Sequence, residues 1–65
     1  MKLVINNQTQ DLPVTTISAL LVVLKQPEQG IAVAVNQAIV NRQLWDEFAL
    51  AEHDQVTLFQ AIAGG

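Results

Sequence analysis

Only one stretch of this chain is built to form a helix, and everything else must be arranged around it. Ile17, Leu20, Leu21 and Leu24 recur at i, i+3, i+4 and i+7, a single apolar stripe of helical period. Thr16 can cap the first turn, Lys25 falls in the last turn where a cation suits the helix dipole, and Pro27 blocks continuation. Val22 and Val23 favour strands, and on a helical wheel Val22 lies opposite the stripe, in solvent. The chain has 65 residues and no cysteine, so neither disulfides nor a Cys-based zinc site can reinforce a small core. Packing has to hold the domain alone.

The remaining apolar segments read as strands. Residues 2–5, KLVI, are a β-type run closed by Asn6 and Asn7, both tolerant of turn conformations. QTQDLPV, residues 8–14, gives a second, shorter strand that Pro13 restricts to an edge or an end. In IAVAV, residues 31–35, Ile31, Val33 and Val35 share one face, and Ala32 and Ala34 form a thin opposite face. Asn36 and Gln37 make a two-residue turn into a short strand, AIV. NRQLWDEFAL, residues 41–50, is too short for a stable helix and reads as a turn of 3₁₀ type leading into a short strand. A polar bend, EHD, precedes the last and strongest strand, QVTLFQAI at 55–62. The order β-β-α-β-β-(β) predicts an α+β fold, a mixed sheet crossed by one main helix, and ranks the β-grasp arrangement of ubiquitin-like domains ahead of other small α+β folds. We expect one domain over residues 1–61 and a flexible C-terminal Gly-Gly tail over 62–65.

Charge and hydropathy narrow the function. The formal net charge is -3, and the cations Lys2, Lys25 and Arg42 are scattered, so a basic face for nucleic acid is not expected. The longest purely apolar run, residues 19–24, is far short of the roughly 20 residues a membrane helix needs. No N-terminal stretch resembles a signal peptide, which predicts a cytoplasmic chain with no membrane partner. There is no phosphate loop, no second histidine, no metal-ligand cluster and no nucleophile with its base. We therefore expect no catalytic residue, no metal and no bound cofactor. His53, between Glu52 and Asp54, reads as an exposed bend residue.

Several blocks carry a family resemblance: VAVN at 33–36, IVNRQLW at 39–45, EHDQVTLF at 52–59 and the terminal Gly64-Gly65. In these, and over essentially its whole length, the chain resembles the ThiS family, the sulfur carriers of thiamin biosynthesis. It departs at Asn41, where members often have proline before the arginine, and at PVTT, where a glycine often precedes the helix. Both positions are in turns. The resemblance implies a monomer when free, acted on by an adenylating enzyme of the ThiF type that uses ATP, by a sulfur-donor enzyme and by a thiazole synthase of the ThiG type. It implies that Gly65 is adenylated and converted to a thiocarboxylate that donates sulfur for thiazole formation. The small subunit of molybdopterin synthase and a ubiquitin-like protein modifier are the alternative readings.

The residue types suit that chemistry. Glycines lack Cβ and allow close approach in a confined cleft, as Gly64 and Gly65 would require. With Ala61, Ile62 and Ala63 they would span about 17 Å if extended. Without cysteine, the carried sulfur would reside on the terminus and not on a side-chain thiol. In the last strand Val56 and Leu58 share the core face, so Phe59 should point outward beside the alanine face. We expect Phe59 and Ala61 at the partner interface, leading into the tail. Trp45 is expected to plug the end of the core, and Arg42 has two readings, a pair with Asp46 or Glu47 or a contact with an acidic partner surface.

Overall fold

Two tight hairpins frame the sheet. In the computed structural model, which describes residues 1–60, Asn6 and Asn7 adopt φ of 48° and 69°, and Asn36 and Gln37 adopt 52° and 72°. Positive φ at both central residues is the pattern of a type I′ turn, whose twist matches that of the strands it joins. The first turn connects β1 (Lys2–Ile5) to β2 (Gln8–Asp11), with Ile5 opposite Gln8. The second connects β3 (Ile31–Val35) to β4 (Ala38–Ile39), with Val35 opposite Ala38. β2 ends at Asp11, so Pro13 lies just beyond the ladder that it cannot serve as a donor.

The last strand, β5 (Gln55–Gln60), unites the two hairpins. It runs parallel to β1, with Val4 beside Gln55 and Ile5 beside Val56, and antiparallel to β3 from Val35↔Val56 to Ile31↔Gln60. The sheet order is β2-β1-β5-β3-β4, so β5 occupies the centre. This is the mixed sheet expected from the sequence.

The helix α1 (Ile17–Val23) covers one face of that sheet. Thr16 stands in extended conformation at its N-cap, and its hydroxyl accepts from the Ala19 N–H at 3.2 Å. Its other end differs from expectation. Lys25 is not in the last turn but beyond it, at φ 58°, with its N–H bonded to the Val22 carbonyl at 3.1 Å. The Gln26 N–H reaches the Leu21 carbonyl at 2.9 Å, completing a Schellman cap in which Lys25 fills the left-handed position usually taken by glycine. The helix dipole thus has no basic residue in its last turn.

Ile17, Leu20 and Leu21 are buried against Leu3, Ile5, Val33, Val35 and Val56, while Val22 opposite them is 75% exposed. Trp45 follows a 3₁₀ turn (Arg42–Leu44) and closes one end of this core, with its Nε1 donating to the Val40 carbonyl at 3.0 Å. The segment after it does not form the short strand anticipated. It makes a single bridge, Thr16↔Ala49, and the Leu50 N–H bonds to the Thr15 carbonyl at 2.8 Å. It therefore pins the entry to α1 and buries Leu50 without joining the sheet. Asp46 is taken by the Ser18 hydroxyl, and among the described residues Arg42 forms no ion pair with Asp46 or Glu47.

Two stability measurements test this account. Lys25→Gly should stabilise the domain by about 0.5–1 kcal/mol, because the left-handed position costs a residue with Cβ more than it costs glycine. The thermal midpoint should then rise by several degrees. Trp45→Phe removes the donor to a buried carbonyl and should destabilise by about 2 kcal/mol, lowering the urea midpoint without changing the slope.

Candidate functional site

Strand alternation gives β5 two different faces. Val56 and Leu58 turn toward α1, Val56 fully buried and Leu58 partly so. Thr57 and Phe59 turn the other way. Phe59 stands opposite Ala32, and Thr57 opposite Ala34, which in turn faces Ile39 across the β3–β4 pair. A methyl group cannot cover a phenyl ring, and Phe59 remains 43% exposed. Ile39, at the other end of the row, is 65% exposed. The outer face of the sheet thus carries an apolar row in which Phe59 and Ile39 are exposed, Ala32 is half-buried and Ala34 is buried between them.

The row spans β4, β3 and β5, and Phe59 places one end of it on the strand that leads toward the C-terminus. Phe59 is the expected interface residue that falls within the described structure. Ala61, Ile62, Ala63, Gly64 and Gly65, the flexible tail and the domain boundary after residue 61 lie outside the described residues. Ile39 was not anticipated; its signal was available in the two-residue turn, which fixes the register that sets Ile39 opposite Ala34.

On the helix side, a groove of about 130 Å³ borders the same end of β5, lined by Asn6, Gln26, Ile31, Leu58, Phe59 and Gln60. None of its lining residues carries a charge, and it is open to solvent. No cluster of His, Cys, Asp or Glu suited to a metal occurs among the described residues. His53 sits at φ 70° in the bend before β5, exposed, with its backbone N–H bonded to the Lys2 carbonyl at 2.6 Å. Its role in the fold is carried by its backbone. No described helix is long and apolar enough to cross a membrane.

A five-stranded mixed sheet with parallel first and last strands, one covering helix and an apolar outer face beside the C-terminal strand defines a ubiquitin-like β-grasp domain. The sequence pattern of the ThiS family matches residues 3–65, and the chain belongs to that family. It is 39% identical over 66 residues to the sulfur carrier protein ThiS of Escherichia coli (strain K12), with the whole of both chains covered. Its fold is similar to the crystal structure of the thiamine biosynthesis protein (ThiS) from Geobacter metallireducens, at a TM-score of 0.86 and 22% identity, with both chains fully covered. The solution structure of a thiamine biosynthesis protein from the same organism matches at a TM-score of 0.77, 22% identical, covering all of this chain and 88% of that one.

The two faces of β5 predict opposite responses to truncation. Phe59→Ala should change stability by no more than about 1 kcal/mol, since much of the ring is already in water. Val56→Ala should cost about 1–3 kcal/mol, because it opens a void in the packed core. Denaturant unfolding of both variants checks the contrast.

Proposed function

We propose that this chain is a sulfur carrier of thiamin biosynthesis that bears the transferred sulfur on the carboxyl group of Gly65. The observation that carries the reading is the match to the ThiS family, which extends through residue 65 and so includes Gly64 and Gly65. The full-length relationship to the sulfur carrier of Escherichia coli supports the same role and favours thiamin over molybdenum cofactor as the destination. The family makes it a carrier and not an enzyme.

The chemistry follows from the state of a terminal carboxylate. Its pKa of about 3.3–3.7 keeps it ionised at neutral pH, and an anion resists nucleophilic attack. A carboxylate oxygen attacks the α-phosphorus of ATP, pyrophosphate leaves, and the mixed anhydride of Gly65 and AMP forms. Sulfide-level sulfur from a donor, delivered as HS⁻, attacks the carbonyl carbon and expels AMP, and loss of the S–H proton leaves a thiocarboxylate. A thiazole synthase of the ThiG type then receives that sulfur. ATP and the catalytic groups belong to an adenylating enzyme of the ThiF type, so the carrier needs no cofactor of its own. The reaction is placed in the cytoplasm, with the carrier a monomer when free.

The body supplies recognition. The exposed Phe59 and Ile39, with Ala32 between them, offer a partner an apolar surface that reaches the strand leading to the reactive end, and Ala61 would extend it. Removing Gly64 and Gly65 should leave this surface intact and abolish transfer.

Mass spectrometry of the intact protein after incubation with the adenylating enzyme, ATP and a sulfur donor tests the reading. The expected result is a mass gain equal to exchange of one oxygen for sulfur, absent when Gly65 is deleted. Adducts on target lysines would support a protein modifier instead. Loss of the protein should create a requirement for thiamin and leave molybdenum-cofactor synthesis unaffected.

A further inference from the structure

We propose that Asn6 is a positioning residue for the transfer reaction, its side chain holding the end of β5 from which the chain proceeds toward Gly65. The proposal rests on the carrier reading above. β1 and β5 pair in parallel only as far as Ile5 and Val56. At Asn6 the chain turns into the first hairpin with φ 48°, and β1 leaves the side of β5. Its backbone makes one last contact, from the Asn6 N–H to the Val56 carbonyl at 3.0 Å. The next group of β5 on that side is the Leu58 N–H, which lies one pleat further on. The Asn6 side chain reaches it, Oδ1 accepting from the Leu58 N–H at 2.9 Å. The side chain thus replaces the acceptor that a longer β1 would have supplied.

Beyond this bond no residue of β1 lies beside β5. Phe59 and Gln60 are held by β3 alone, opposite Ala32 and Ile31, and the groove shared by Asn6, Leu58 and Gln60 opens where β1 would have continued. Asn6 is therefore the final anchor on the β1 side of β5 among the described residues. It holds the backbone of β5 at Leu58, the residue before Phe59, on the side where β1 no longer pairs. A partner that binds at Phe59 gains from having this end of β5 held beforehand, since ordering it on docking would weaken binding. Asparagine suits both demands at this position, because it tolerates the left-handed conformation and carries an acceptor on a short side chain.

The test uses Asn6→Gly, which keeps the turn but deletes the acceptor, and Asn6→Asp, which retains an acceptor and tolerates the same φ. Both full-length variants and the wild-type chain are assayed for steady-state thiocarboxylate formation with the adenylating enzyme, ATP and a sulfur donor. Amide exchange is read at Leu58 in parallel. Asn6→Gly should raise KM for the carrier by about three- to tenfold, the factor that one neutral hydrogen bond is worth, with kcat nearly unchanged. Leu58 exchange should accelerate, and Asn6→Asp should restore both readings toward wild type. A KM within twofold of wild type in Asn6→Gly, with Leu58 exchange accelerated, would overturn the positioning role while leaving the carrier reading standing. A fall in kcat with no change in KM would also overturn it. Failure of the wild-type chain to form any thiocarboxylate would refute the carrier reading, and the role of Asn6 with it.

Discussion

The parallel pairing of β1 with β5 is the contact on which the rest of the structure depends. It joins residues about fifty positions apart in sequence, Val4 to Gln55 and Ile5 to Val56. Without it the β1–β2 hairpin is severed from the three-stranded β5-β3-β4 unit, and an isolated two-stranded ribbon is marginal in water. With it, Ile5 and Val56 come together under α1, and Leu3, Val33 and Val35 complete a continuous apolar floor for Ile17, Leu20 and Leu21. The bend before β5 reinforces the junction from outside. The Glu52 carboxylate accepts from the Lys2 N–H at 2.7 Å, and the Asp54 carbonyl accepts from the Val4 N–H at 2.9 Å. Asn36 ties the second hairpin to the same point, exchanging bonds with Asp54 and Gln55.

Central placement also gives β5 its functional character. One face of the strand is committed to the core through Val56 and Leu58, and the other displays Phe59. A slip of one residue in register would exchange those faces, burying Thr57 and exposing Val56. Neighbours on both sides oppose such a slip. The surface that leads toward Gly65 is thus as firmly specified as the core, although much of it is exposed.

Much of this was legible in the sequence because it depends on local rules. The stripe of Ile17, Leu20 and Leu21, the Thr16 cap, the asparagine-containing turns and the outward direction of Phe59 all follow from periodicity or turn chemistry. What escaped depends on distant parts of the chain. Lys25 occupies a left-handed cap because the helix ends against Leu21 and Val22 carbonyls, and lysine gives no signal for that conformation. Residues 49 and 50 look like a strand by composition, yet their partners are Thr15 and Thr16, which tertiary packing brings beside them. Arg42 has suitable carboxylates nearby in sequence, but Ser18 takes Asp46 from across the fold. The tie from Asn6 to Leu58 has a sequence separation of 52 and no local signature.

The position of β5 has a consequence for biogenesis. Among the described elements the middle of the sheet is the last to be synthesised, so the earlier hairpins and α1 cannot close their core before Gln55 and its successors are available. Translation that halts short of this segment yields a chain lacking the sheet's keel, which proteases can recognise as unfolded. Closure of the core is thereby coupled to synthesis of β5, because no earlier element can take its place between β1 and β3.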